Sequence, residues 1–215
     1  MVTPTDLKQV QKLVGCVATL SRFISRLGEK VLPLYRLLRH TDHFVWTDAA
    51  TAELEEIKAL LASNPILATP SVGEPMLLYI SATHQVVSAV LVVEREEEGH
   101  KFPLQKPVYY VSTVLTPCKS RYPHYQKIAY AVFMASRKLR HYFQEYPITV
   151  ASEVPLNDII NNRDATGRIA KWAIELLPFE ITYKPRRAIK SHMLAYFVAE
   201  WTEAEFPKEY DTYSN

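Results

Sequence analysis

The stretch that decides the fold is MLLYISATHQVVSAVLVV, residues 76–93. Two apolar runs rich in β-branched residues, Met76–Ala82 and 86–93, flank the polar triplet Thr83-His84-Gln85. This pattern predicts a hairpin of two strands that are mostly buried on both faces. Such a sheet needs helices to cover it, and helical patterns follow further along the chain.

The rest of the C-terminal two thirds alternates strand and helix patterns. Residues 107–114 predict a third strand, and a long helix runs from about Tyr122 to Phe143 with Lys127 on its polar face. The following pattern predicts a strand at 147–151, a short helix from Pro155, a helix at 167–177, a strand at 179–183 and a final helix at 189–201. The order predicts an α/β protein with a mixed five-stranded sheet.

The first 70 residues read as helices. One of them, ending near Ala62, is expected to be capped by Thr47 or Asp48. Prolines bracket a linker at 65–75, which predicts a helical unit at 1–70, a sheet domain at 71–203 and a tail at 204–215.

Composition excludes several classes of protein. The net charge of +2 is too balanced to indicate nucleic-acid binding by itself, and five glycines leave no phosphate-binding loop. Cys16 and Cys118 are expected to be free, buried thiols in a reducing compartment. No apolar run is long enough for membrane insertion, and no secretory signal peptide is evident.

Two interpretations of the first thirty residues give different locations. As a structural helix pair, they leave the chain cytoplasmic or nuclear. As a mitochondrial presequence, which has the same basic amphipathic composition, they send it to mitochondria. We expect the structural reading.

Several strings resemble one known family. They are 44–47 (FVWT), 65–67 (PIL), 78–82 (LYISA), 107–112 (PVYYVS), 165–172 (ATGRIAKW), 188–191 (AIKS) and 197–201 (FVAEW). The chain resembles the C-terminal part of the reverse transcriptase of gypsy-type long-terminal-repeat retrotransposons, particularly those of plants. The resemblance covers about 8–203. It implies a ribonuclease H-like mixed five-stranded sheet with covering helices, preceded by a small helical unit like the thumb or connection segment.

The resemblance also implies the positions of a nuclease site. The family holds two Mg²⁺ ions with four carboxylates, because hard cations need oxygen ligands and two dications need several negative charges. Here the four positions align with Ser81, Gln126 (or Ile128 in an alternative register), Glu153 and Tyr196. At most one acid is retained, so we expect no metal, no cofactor and no ribonuclease H activity; Mg²⁺ would be needed only if the nuclease were active. The polymerase acids are also expected to be absent.

Basic residues provide an alternative role. The resemblance implies that clusters along the hybrid-binding side contact phosphates, and the candidates are Arg137, Lys138, Arg140 and His141, Arg163, Arg168 and Lys171, and Lys184, Arg186, Arg187 and Lys190. Solvated helix faces explain these residues equally well.

Other candidate sites are weaker. Glu153, Asp158 and His192 could form a relocated site, but solvated polar residues are the commoner reading. His40 and His43 have no further ligand nearby, so they are expected to be surface histidines.

A folded scaffold without chemistry acts by occupying a partner. The first expectation is therefore a regulatory, inhibitory or toxic role through an unknown protein partner, with aromatic anchors in the tail such as Trp201, Phe206, Tyr210 and Tyr213. Weak binding of an RNA–DNA hybrid is the second expectation, and metal-dependent nuclease activity is the third.

Overall fold

A computed structural model describes residues 3–39, 44–62, 67–99, 103–162 and 167–185. A five-stranded sheet has the order β3-β2-β1-β4-β5. The strands are β1 (Met76–Ala82), β2 (Val86–Arg95), β3 (Leu104–Val114), β4 (Ile148–Ser152) and β5 (Ile181–Pro185). The first three pair antiparallel, whereas β4 runs parallel to both β1 and β5. The predicted mixed sheet and its five strands are confirmed.

Helices precede the sheet and connect its strands. The first group is α1 (Leu7–Thr19), a 3₁₀ turn at Ser21–Phe23, α2 (Leu27–Lys30), α3 (Leu32–Arg39) and α4 (Asp48–Ala62). The second is α5 (Pro117–Ser120), α6 (His124–Lys138), α7 (Arg140–Glu145), α8 (Leu156–Ile160) and α9 (Gly167–Leu176). Thr47 Oγ1 accepts from the backbone N–H of Ala50 at 3.2 Å, so Thr47 caps α4. None of the described helices is long and apolar enough to cross a bilayer.

Apolar residues bury both faces of the central hairpin, as the opening stretch predicts. On one face, Leu78, Ile80, Ala89 and Leu91 pack with the inner side of α6, including Val132. The alternate residues of the same strands, among them Tyr79, Val90 and Val92, form a separate cluster on the opposite face. All residues of β2 from Val86 to Val93 are buried.

Two features of α6 differ from the prediction. The predicted helix through Phe143 is interrupted at Leu139, whose φ and ψ are −112° and 33°, and α7 follows as a separate helix. Lys127 was placed on the polar face, but it is only 7% exposed. Its ammonium group donates to the carbonyl oxygens of Thr83 and His84, each at 3.2 Å. Burial is therefore tolerated because those carbonyls accept its hydrogen bonds.

The prediction of buried thiols is wrong. Cys16 and Cys118 are both free, as expected, but both are exposed. Cys16 lies in α1 and Cys118 in α5, and both residues are on the solvent-facing side of their helix. The final helix at 189–201 and the tail at 204–215 lie outside the described residues.

The helical group packs against the edge of the sheet. The backbone N–H of Gly28 in α2 donates to Ser112 Oγ in β3 at 2.9 Å, and that hydroxyl also lies 3.1 Å from Ser88 Oγ. The Arg22 guanidinium lies 5.2 Å from the ring centre of Tyr109. The described residues on the two sides of the predicted boundary at about residue 70 are therefore in contact, while the division into domains stays a prediction.

Arg95 at the end of β2 anchors the segment that leads into β1. Its guanidinium donates twice to the Glu74 carboxylate, at 2.9 Å each, and once to the carbonyl of Thr69 at 2.6 Å. Glu74 Oε2 also accepts from the backbone N–H of Ser71 at 2.7 Å. The hydrogen bond from Arg95 lowers the pKa of Glu74 from 4.5 to about 2, with a further contribution from the Ser71 bond.

This depressed pKa predicts an acid-dependent stability. The stabilisation by Glu74 is fully present above its unfolded pKa of 4.5 and is lost as the pH falls toward 2. Glu74→Gln is therefore expected to have a lower urea midpoint than the wild type at pH 7. The difference between the two midpoints should shrink as the pH falls from 5 to 3. Urea unfolding across that range measures the effect. A gap that stays constant with pH would contradict the assignment.

Candidate functional site

Two of the aligned nuclease positions lie at the same end of the sheet. Ser81 is near the end of β1, and Glu153 directly follows β4. The two strands are parallel neighbours, and their last registered pair is Tyr79 with Ala151, two residues before each of these positions. Ser81 is 9% exposed, whereas the Glu153 side chain is 51% exposed. The structure therefore places both residues at one end of the sheet.

The beginning of α6 reaches the same place. His124 Nε2 lies 3.1 Å from Glu153 Oε1, which joins the first residue of α6 to the residue after β4. The sequence analysis did not identify His124, because a histidine at a helix start carries no signal of a contact 29 residues further along. If the imidazole is protonated, the contact is an ion pair; if neutral, it is a hydrogen bond.

The two residues that could occupy the aligned position on α6 have different surroundings. Ile128 is 1% exposed and belongs to the apolar core beneath the sheet. Gln126 is half-buried near the start of the helix. Neither side chain can supply a carboxylate, whichever register is correct. Tyr196, the fourth position, lies outside the described residues.

Lys127 brings a positive charge close to this end of the sheet. The two carbonyls that it contacts belong to the β1–β2 turn, and Thr83 is two residues after Ser81. A buried ammonium group beside a candidate metal position opposes cation binding by Coulomb repulsion. The aligned positions and the contacts named so far thus comprise a hydroxyl, an amide, a histidine, a lysine and one carboxylate.

A relocated acidic site has partial geometric support. Glu153 and Asp158 both line a cleft of about 300 Å³ together with Tyr183 and Lys184. Burial raises the pKa of Tyr183 to about 12, so its phenol stays protonated near neutral pH. His192, the third proposed member, is outside the described residues, as are His40 and His43. Within the described part of the chain, no three His, Cys, Asp or Glu residues are grouped to hold a metal ion.

Only some of the predicted basic residues lie together: Arg137, Lys138 and Arg168 line one cleft, whereas Arg140 does not. Arg137 donates two hydrogen bonds to Glu175, at 2.9 and 3.0 Å. Lys138 donates instead to the carbonyl of Ser112 at 3.0 Å, and burial lowers its pKa. Arg140 lies 6.0 Å from the ring centre of Phe179, and Arg168 lies 4.8 Å from that of Tyr122.

Two further basic candidates are exposed. Lys171 on α9 and Lys184 in β5 both lie at the surface. His141 lies on α7 and packs against Tyr142, with the two ring centres 4.1 Å apart. The remaining members of the predicted clusters, Arg163, Arg186, Arg187 and Lys190, fall outside the described residues.

The sheet order, the parallel β4 and the helices between the strands define a ribonuclease H-like fold. Two solved structures of the foamy viral protease-reverse transcriptase share it, each with a TM-score of 0.68 and 22% sequence identity. One is a complex with dsDNA and the other a complex with an RNA/DNA hybrid. The matches cover 88% and 87% of this chain, and 40% and 26% of the respective solved chains.

Sequence comparison gives a more specific relationship. Residues 46–150 match the model of the RNase H-like domain found in reverse transcriptase. The Tf2-3 and Tf2-4 transposon polyproteins of Schizosaccharomyces pombe are each 26% identical in an alignment of 198 residues that covers 86% of this chain. The chain spans about 14% of the length of these relatives. Residues 46–150 are therefore similar to the RNase H-like domain found in reverse transcriptase, and the chain is similar to retrotransposon polyproteins.

Proposed function

We propose that this chain is a degenerate RNase H-like unit that has lost nuclease chemistry and acts by contacting a protein partner. The observation that carries the proposal is the set of side chains at the common end of β1, β4 and α6. Of the aligned positions in the described residues, only Glu153 is a carboxylate, and it contacts His124 at 3.1 Å.

The donor set does not fit a pair of Mg²⁺ ions. Mg²⁺ demands oxygen ligands in octahedral geometry and gives up its water reluctantly, so neutral hydroxyl and amide groups compete poorly with hydration. Two such ions also repel each other unless several carboxylates lie between them. Among the aligned positions of the described chain only Glu153 is negatively charged, and the ammonium group of Lys127 at the neighbouring turn offsets that charge. The proposal therefore assigns no step to a metal ion.

The test is a cleavage assay with a labelled RNA–DNA hybrid in Mg²⁺ and then in Mn²⁺. We expect no product above the rate without protein, and the same result for Glu153→Gln, with an active ribonuclease H as the positive control. Metal-dependent cleavage that disappears in Glu153→Gln would overturn the proposal, because it would show that the retained acid works in catalysis.

Protein contact is supported by the length of the relatives and by the surface of α9. The homologous polyproteins are much longer than this chain, so equivalent domains have other protein segments available to contact. On α9 and the residue after it, Ile174 and Leu177 are 66% and 76% exposed and lie three residues apart, on one side of the helix. An adjacent apolar pair of this kind is suited to burial by a partner.

The test compares cross-linked complexes recovered from cells expressing the tagged wild type and an Ile174→Asp/Leu177→Asp variant. A specific complex that is lost in the variant, but kept in Lys171→Gln on the same helix, is the expected result. Equal recovery with all three chains would remove α9 from the proposal. Imaging of the same tagged chain tests the expected cytoplasmic or nuclear location against mitochondria.

Nucleic-acid binding is the second candidate, because the two foamy viral structures with this fold are complexes with dsDNA and an RNA/DNA hybrid. Of the predicted basic residues, Arg137, Lys138 and Arg168 share one cleft, whereas Arg140 lies beside Phe179. As to origin, we propose a gypsy-type retrotransposon of the plant kind, on the strength of strings such as ATGRIAKW at 165–172. The Tf2 relatives from Schizosaccharomyces pombe support a retrotransposon ancestry without specifying the plant kind.

A further inference from the structure

A second cleft shares no lining residue with the cleft at Glu153. It has a volume of about 480 Å³ and is bounded by α6, α9, the end of β3 and α5. Its lining includes four cationic side chains: Lys119, Arg137, Lys138 and Arg168. No carboxylate is among the described residues that line it. We call this cleft the α6–α9 groove.

Aromatic rings form the base of the α6–α9 groove. Trp172, which is 7% exposed, lies at the centre. Its ring centre is 5.6 Å from that of Tyr130, 5.8 Å from that of Phe133 and 6.2 Å from that of Tyr122. These rings give the groove a rigid, apolar base, because each has few rotatable bonds and is packed against its neighbours.

Each of the three outer rings has a cation over it. Lys119 Nζ lies 4.6 Å from the ring centre of Tyr130, and the guanidinium carbon of Arg137 lies 4.7 Å from that of Phe133. The guanidinium carbon of Arg168 lies 4.8 Å from the ring centre of Tyr122. Ring faces attract cations, so these contacts hold the positive groups in place without neutralising their charge.

Among the described residues, the charge of the groove is therefore largely uncompensated. Arg137 forms an ion pair with Glu175, so the remaining positive charges of the groove are those of Lys119, Lys138 and Arg168. Lys119 also donates to the phenolic oxygen of Tyr130 at 2.9 Å, and Lys138 donates to a backbone carbonyl. Neutral oxygens of this kind accept hydrogen bonds but do not cancel charge. Several cations that share one groove repel one another, and a bound polyanion would remove that repulsion.

We propose that the α6–α9 groove binds single-stranded nucleic acid through its phosphates. Cations interleaved with aromatic rings are the combination that single-strand sites use, with a basic groove following the backbone and rings contacting bases. Its volume is that of a site for a small ligand, which suits a few nucleotides in single file better than the width of a duplex. An acidic peptide would use the charges but has no need of the rings.

A polar group in the same groove is available to a phosphate oxygen. The Thr113 side chain lines the groove, and its buried hydroxyl has no hydrogen-bond partner within the described part of the chain. A hydroxyl donates readily to a phosphate oxygen, and leaving it unpaired is unfavourable. This inference goes beyond the proposed function, since it concerns a different surface and does not depend on whether the chain cleaves a hybrid.

The experiment is fluorescence anisotropy with a labelled oligothymidylate of 12 nucleotides, titrated with the whole chain in low salt. Arg168→Gln and Lys171→Gln form a matched pair, because both remove one positive charge from α9 but only Arg168 lines the groove. We expect Lys119→Gln/Arg168→Gln to weaken binding about tenfold or more and Lys171→Gln to change it less than about twofold. The salt dependence of the double variant should flatten by about 0.7 for each lost phosphate contact.

The specificity is tested by competition. Unlabelled single strand is expected to displace the probe at lower concentration than a duplex of equal length or than polyglutamate of equal charge. The proposal is overturned if no binding is detected at low salt, if Lys171→Gln weakens binding as much as Arg168→Gln, or if polyglutamate competes equally well. Circular dichroism of each variant confirms that a loss of binding is not a loss of fold.

Discussion

Trp172→Ala is expected to lower the free energy of unfolding by about 3–5 kcal/mol. Trp172 is 7% exposed and joins α9 to three aromatic rings, those of Tyr122, Tyr130 and Phe133. Its removal leaves a cavity between helices that cannot close unless α9 moves toward α6. Thermal or urea unfolding measures the loss, which corresponds to a midpoint lower by on the order of 10 °C.

The matched control is Ile174→Ala on the same helix. Ile174 is 66% exposed, so its truncation removes little packing and is expected to change stability by less than about 0.5 kcal/mol. A Trp172→Ala chain that unfolds within about 1 kcal/mol of the wild type would show that α9 does not pack on α6 as described.

Gly28→Ala is expected to destabilise the contact between the helical group and the sheet by about 1–3 kcal/mol. A Cβ at this position would lie 2.5 Å from Ser112 Oγ and 2.9 Å from Val86 Cγ1, closer than van der Waals contact allows. The hydrogen bond from the Gly28 N–H to Ser112 Oγ depends on the same close approach. Urea unfolding followed by far-ultraviolet circular dichroism measures the change.

Two further variants separate this clash from the general effect of adding a methyl group. Gly15→Ala lies inside α1 with no atom within 4 Å of its Cβ, so it is expected to stabilise the chain by about 0.5–1 kcal/mol through helix propensity. Ser112→Ala removes the closest atom, and the double variant with Gly28→Ala should be less destabilised than the sum of the single changes. If Gly28→Ala behaved like Gly15→Ala, α2 would not pack on β3 in this way.

The sequence predicted the centre of the fold because its signals are local. Runs of β-branched residues in β1 and β2 require burial on both faces, and the apolar residues of α6 recur at helical spacing. The positions of Ser81 and Glu153 came instead from the family resemblance, and the structure places both just after the last registered pair of the parallel strands β1 and β4. The strands and the helix depend on periodicity and on chain order, which one sequence contains.

The features that the sequence did not predict depend on partners far along the chain. Lys127 fits the polar face of α6, but its acceptors are carbonyls of the β1–β2 turn, 43 and 44 residues away. Arg137 reads as a free cation, yet Glu175 is 38 residues beyond it. His124 and Glu153, which are in contact, are likewise 29 residues apart in the sequence. Periodicity cannot reveal which side chains meet across a fold.

The register on α6 also remained open for a physical reason. Gln126 and Ile128 lie within one turn of each other near the start of α6. From the sequence alone, either residue could face the end of β1. The structure gives them different surroundings, since Ile128 is in the apolar core and Gln126 is half-buried. Neither supplies a carboxylate, so the proposed loss of metal binding does not depend on the choice.

The most direct test of that loss is calorimetric titration of the whole chain with Mn²⁺ at neutral pH, with Glu153→Gln in parallel. The account predicts no saturable binding of a metal pair and indistinguishable heats for the two chains. Binding of two Mn²⁺ ions per chain that disappears in Glu153→Gln would contradict it, because the retained carboxylate would then be part of a working metal site.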